Sequence, residues 1–141
     1  MAADATALRA SIERWATQVV TVAGPETARA MASDDRVPTK DGKLRQAIRC
    51  RNDVKVSGSQ RTTTIEAPVI QALTTDRGAR PHVIQPRRAG GLLVFDWPKA
   101  GGVVFLRSVN HPGNPPRPWW DAVTRDAWRS SLRAAAAATS L

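Results

Sequence analysis

Leu8, Ile12, Trp15, Val19 and Val22 recur at intervals of four, three, four and three. That spacing puts side chains on one stripe of an α-helix, with Arg9, Glu13 and Gln18 off it, and predicts an amphipathic first helix capped by Asp4. Gly24-Pro25 is expected to interrupt it, because proline has no amide to donate to the carbonyl four residues back. Pro25 can then open a second helical piece running to about Ala32, so residues 1–33 form the N-terminal helical segment. Ser33-Asp34-Asp35 reads as a solvated loop. A short helix is expected within residues 37–49: from Lys40 to Arg49 the side chains of Leu44, Ala47 and Ile48 share a face, Thr39 can cap, and Gly42 weakens the interior.

Over residues 52–109 the pattern changes to short β-type runs: Val54 to Ser57, Thr62 to Glu66, His82 to Gln85, Leu92 to Trp97 and Val103 to Val109. Gly58-Ser59 and Lys99-Ala100-Gly101-Gly102 separate two pairs of runs and predict two hairpins. A small antiparallel sheet of about four to five strands follows. Residues 110–118 hold Pro112, Pro115, Pro116 and Pro118, which excludes helix and central strand and makes this stretch a crossing. From Pro118 a C-terminal helix is expected to run to Ala138, with Trp120, Val123, Ala127 and Ser131 on one side. Helix, short helix, antiparallel sheet, helix defines an α+β chain, and 141 residues suit a single domain over 1–141.

Composition adds three bounds. The one cysteine, Cys50, cannot form an intrachain disulfide or a paired metal site. No apolar run approaches the ~20 residues that cross a bilayer, and residues 1–10 lack the basic and apolar regions of a secretory signal; no membrane association and cytoplasmic synthesis are expected. The net charge of +9 is unevenly spread: residues 1–35 sum to −2, residues 36–61 to +6, and Arg77, Arg80, Arg87 and Arg88 meet no acid between 77 and 88. Arg45, Arg49, Arg51, Lys55, Arg80, Arg87 and Arg88 are therefore candidates to face DNA phosphates or an acidic protein surface, two partners that Coulomb attraction alone does not separate.

Candidate chemistry is sparse. His82 and His111 beside basic residues would suit acid-base cleavage of RNA, but no nucleophile or carboxylate is placed with them by spacing; holding turn backbone is the simpler task for each. Two histidines and one cysteine match no metal-ligand spacing, and no phosphate-binding glycine motif is present. No enzyme activity, cofactor or metal is expected. Trp119 and Trp120 follow the crossing directly. Neighbouring helical positions point about 100° apart, so both rings cannot enter one core, and one is a candidate anchor for another subunit.

Three segments together resemble the tail-component family of long non-contractile-tailed bacteriophages. Val37-Pro38-Thr39-Lys40-Asp41-Gly42-Lys43-Leu44-Arg45-Gln46-Ala47-Ile48 resembles the family's Ala-Pro, Thr-Gly, basic, Leu and Ile segment after the first helix, with Asp41-Gly42 in place of Thr-Gly. Gly78-Ala79-Arg80-Pro81-His82-Val83-Ile84-Gln85-Pro86-Arg87 resembles its His-x-Ile-x-Pro-basic stretch. Val109-Asn110-His111-Pro112-Gly113 resembles its Val-x-His-Pro-Gly motif, which leads through proline and an aromatic into the closing helix. The resemblance spans residues 37–130 in order. It implies a tail-completion or head-tail joining subunit in the virion neck, forming a ring of six copies against adjacent neck, connector and tail-tube proteins, with non-specific contact to passing genomic DNA and no catalytic residues. His111, Pro112, Gly113, His82, Gly42, Leu44, Trp119 and Trp120 then become the structural and interface candidates. The competing class is a non-specific nucleic-acid-binding protein that uses its basic middle directly.

Overall fold

The computed structural model describes residues 2–38 and 42–140, and the side chains from residue 4 onward. Its order is α1 (Ala2–Ser33), α2 (Lys43–Ala47), β1 (Arg49–Cys50), β2 (Lys55–Ser57), β3 (Gln60–Thr62), β4 (Ile65–Glu66), α3 (Ile70–Asp76), β5 (His82–Ile84), β6 (Leu93–Trp97), a 3-10 turn (Pro98–Ala100), β7 (Gly102–Leu106), β8 (Val109–His111) and α4 (Trp120–Ala138). The α+β organisation is the one the sequence implies. The strands, however, form four separate two-stranded antiparallel ribbons, β1-β4, β2-β3, β5-β8 and β6-β7, where one sheet was expected.

The frame is the antiparallel pairing of α1 with α4. Trp15 donates its indole N–H to the Thr139 carbonyl oxygen at 2.9 Å. Val19 and Ala23 pack with Ala135 beside Trp128 and Leu132, and Met31 and Val37 meet Val123 and Trp119 in the main core, with Leu44 and Ile48 closing it. Cys50, Ile65, Val69 and Ala72 cover its flank.

Pro25 lies inside a continuous 32-residue α1, which corrects the expected break. A proline costs a helix interior about 3 kcal/mol. Here that cost is met by buried packing on both sides of it: Ala23, Thr27, Ala28 and Met31 are all buried. Gly24 contributes through its missing side chain, since a Cβ there would sit 2.8 Å from the Cys50 sulfur. The glycine lets β1 lie against the helix.

The expected α1 stripe is only half right. Val19 is buried and Trp15 half-buried, but Leu8 is 55%, Ile12 45% and, one position before the buried Ala23, Val22 48% exposed. The level of Trp15 on α1 matches Thr139 on the other helix, so the turns before Trp15 overhang the end of α4 with no helix against them.

Thr39, Lys40 and Asp41, the expected cap and first residues of the short helix, lie outside the described residues. The helix itself is Lys43–Ala47, entered through Gly42 in the left-handed region at φ 74°. The last helix begins at Trp120, two residues later than expected. Its start is held from outside by Asp76, whose Oδ1 accepts the amides of Trp119 at 2.9 Å and Trp120 at 3.0 Å. Two otherwise unpaired helix-terminal donors are thus satisfied by the last residue of α3, a helix absent from the expected elements. Asp76→Ala is expected to cost about 1–2 kcal/mol and Asp76→Asn, which retains an oxygen acceptor, much less; chemical denaturation of the two variants measures this.

Candidate functional site

The two motif segments around His82 and His111 are brought together by the fold. In β5-β8, His82 pairs with His111, Val83 with Asn110 and Ile84 with Val109. Ala79 and Asn114 continue the same register as a bridge, through Ala79 N–H to Asn114 O at 3.0 Å and Asn114 N–H to Ala79 O at 2.9 Å. The imidazoles stack with centroids 5.0 Å apart. His111 Nδ1 accepts the Gly113 amide at 3.0 Å, which makes that nitrogen unprotonated, while His82 Nδ1 lies 2.8 Å from the Arg80 carbonyl and donates to it. Each ring therefore holds a turn of its own strand, the structural task expected of both.

Gly113 and Gly78 make this base close-packed. Gly113 sits at φ 80°, and a Cβ on it would collide with the Ala79 carbonyl oxygen. A Cβ on Gly78, at φ 77°, would come within 2.7 Å of the Asn114 carbonyl. Pro112 and the other crossing prolines carry the chain to Arg117, whose amide donates to the Thr75 carbonyl.

Beyond this base the same two chain segments pair again as a second antiparallel ribbon. The β6-β7 ribbon pairs Leu93 with Leu106, Val94 with Phe105, Phe95 with Val104, Asp96 with Val103 and Trp97 with Gly102. Alternation along a strand puts Phe95 and Trp97 on one face, ring centroids 6.2 Å apart, and Val94, Val103 and Phe105 on the other. Both faces are apolar. Leu92, Val94, Phe95, Trp97, Val103 and Phe105 are all exposed, Phe105 by 63%, and among the described residues no helix packs extensively on this arm.

The tryptophan pair divides as the 100° argument requires, and the division decides between the two rings. Trp119 is only 4% exposed within the main core, which corrects its candidacy as a partner anchor. Trp120 is half-buried and contributes one wall of an open cleft with Val69, Leu73 and Asp76. Leu44 is a core residue, and Gly42 a turn into α2.

The seven basic candidates do not act as one patch. Arg45 donates to the carbonyls of Asp34 and Val37. Arg49 and Arg51 both reach Glu66, at 2.9 and 2.7 Å, and those guanidiniums, Arg49 first, hold the Glu66 carboxyl below the usual carboxylate range. Asp34, expected as a merely solvated loop residue, is likewise held low, chiefly by the Arg36 side chain, which also reaches Asp126 of α4 at 2.8 Å. Lys55 stands exposed on β2, and Arg80, Arg87 and Arg88 are exposed around the root of the arm.

The arm's exposure is the feature of the candidate site that sequence reasoning missed. Its signal was present: Leu92 to Phe95 and Val103 to Leu106 are apolar without alternation, the pattern of strands covered on both faces. Among the described residues no group of acidic, histidine and cysteine side chains could hold a metal ion, and no helix is long and apolar enough to cross a membrane. No protein-family model, curated protein or solved structure matches the chain.

Proposed function

We propose that this protein is a structural subunit of the neck of a long-tailed bacteriophage, of the tail-completion or head-tail joining type, that it works as a ring in the virion, and that it is not an enzyme. The observation that carries this reading is the arm: a ribbon apolar on both faces and held clear of its own body suits a protein whose working state is an assembly. The motif resemblance supplies the kind of assembly. Its two histidine motifs pair to build the arm's root, where Nδ1 of each imidazole meets a backbone group, an arrangement that fits a turn-holding role. Arg80, Arg87 and Arg88 at the root would face adjacent neck proteins or passing DNA.

Electron microscopy of intact particles from a phage carrying this protein tests the proposal. Density for the chain as a ring at the head-tail junction is the expected result. Particles complete without it would overturn the reading in favour of a nucleic-acid-binding role.

A further inference from the structure

We infer that the β6-β7 arm of one copy seats on the α1 overhang of the next copy, in a head-to-tail contact. The inference rests on the assembly reading and names the two surfaces that meet. Four features of the chain select a second copy as the occupant.

The first is area. At roughly 150–250 Å² for a large side chain, six apolar residues exposed by about half total on the order of 600 Å² over the ribbon's two faces, so one docked face supplies roughly 300 Å² of the ~800 Å² each partner gives to a stable interface. A two-stranded ribbon alone is also marginal in water, so the arm itself gains from being covered.

The second is a matching acceptor. The α1 overhang and the β2-β3 turn enclose an apolar groove of about 370 Å³, with Ala5, Leu8, Ile12 and Ala16 on its floor. From Asp4 to Trp15 the overhang is about 18 Å long at ~1.5 Å per residue; the five-residue strands of the arm span about 17 Å.

The third is charge. The ribbon's one acid is Asp96, with Lys99 in the turn at its tip, and the groove is rimmed by Arg9, Glu13 and Arg61. Arg9 and Glu13 pair with each other along α1 at 3.2 Å, and Arg61, held by the Thr17 hydroxyl and the Gly58 carbonyl, is the rim cation that complements Asp96.

The fourth is placement. The arm's root lies beside the start of α4, where Asp76 holds Trp119 and Trp120, and the overhang lies beyond its other end, where Trp15 meets Thr139. The 19 residues of α4 put about 28 Å between them. An arm rooted at one end of the helical pair and a groove at the other are two different surfaces of one subunit, and a contact between them is heterologous, which closes into a ring when the rotation allows.

The test is site-directed crosslinking with full-length protein in a Cys50→Ser background. Copies carrying Phe105→Cys are mixed with copies carrying Ile12→Cys and treated with a short bismaleimide, both as purified protein and in particles. The expected result is a covalent dimer of the two different variants, with neither variant alone linking to itself. Phe105→Cys linking to its own kind would put arm against arm and overturn the proposal, as would no link in either setting. Particles in which Phe105→Cys links only to a different virion protein would overturn it while leaving the neck reading standing. The mixed dimer in solution, with no copies in the particle, would uphold the contact and remove the neck.

Discussion

Trp119→Ala is expected to lower the free energy of unfolding by about 3–5 kcal/mol, the range for truncating a large buried aromatic. The ring is almost fully buried and sits where the end of α1, the α2 region and α4 converge on Met31, Val37, Leu44, Ile48 and Val123. Trp120 lies edge-on to it at 5.4 Å and 72°, a geometry worth about 0.5–1.5 kcal/mol beyond area. The indole Nε1 is buried without a hydrogen-bond acceptor among the described residues, so Trp119→Phe removes a costly unpaired donor along with some volume and is expected to cost less than about 1.5 kcal/mol. Trp120→Ala, at a half-buried ring, is expected to fall near 1–2 kcal/mol. Urea unfolding followed by circular dichroism reads all three. A Trp119→Ala loss below about 1 kcal/mol would show that the core does not close on this ring. The ordering matters for virion experiments, because an assembly defect in Trp119→Ala reports a subunit that fails to fold, whereas one in Trp120→Ala reports the surface.

What the sequence revealed follows the range of each interaction. Helix type was legible wherever apolar spacing is local, as in Val123, Ala127 and Ser131, all buried on α4, although Trp119 and not the expected Trp120 is the buried ring that leads into that face. Hairpins were legible from turn chemistry: Gly58-Ser59 joins Ser57 to Gln60, and Gly101, at φ 82°, follows the turn between Trp97 and Gly102. Properties set by distant partners were hidden. Pro25 stays in α1 because residues far along the chain bury the turns around it, and Leu8 and Ile12 are exposed because α4 ends level with Trp15, neither of which periodicity contains. The α3 helix, seven residues long and rich in threonine, falls below the length at which spacing is informative; its purpose appears only when Asp76 is seen holding α4. Arg49 and Arg51 looked available for phosphate until β1-β4 pairing set them on Glu66. The single expected sheet failed because eight residues, 85–92, separate β5 from β6 while only two, Arg107 and Ser108, separate β7 from β8. The register slips there, and the two ribbons part.

Gly113→Ala carries the other large expected effect, and Gly101→Ala is its control. Both glycines have nearly the same positive φ, 80° and 82°, and an alanine at either pays about 1–2 kcal/mol for it. Around Gly101 nothing lies within 4 Å of the added methyl, so its loss should stop there. At Gly113 the methyl meets the backbone of Ala79, which cannot rotate aside as a side chain would. Relief requires the strands to separate, releasing the paired Ala79 and Asn114 hydrogen bonds at about 0.5–1.5 kcal/mol each and with them the His82-His111 stack. The total is expected near 3–4 kcal/mol, and the difference between the two variants isolates the collision from the shared conformational cost. Because α1 and α4 pack through a different set of residues, native-state hydrogen exchange should show faster exchange from 79 to 114 in Gly113→Ala while the helical pair keeps its protection. Equal losses in the two variants, within about 0.5 kcal/mol, would mean that the root yields readily and that the histidine motif does not fix the arm. The predicted inequality, accompanied by loss of ring formation in Gly113→Ala alone, would place the motif's role in aiming the arm at its neighbour.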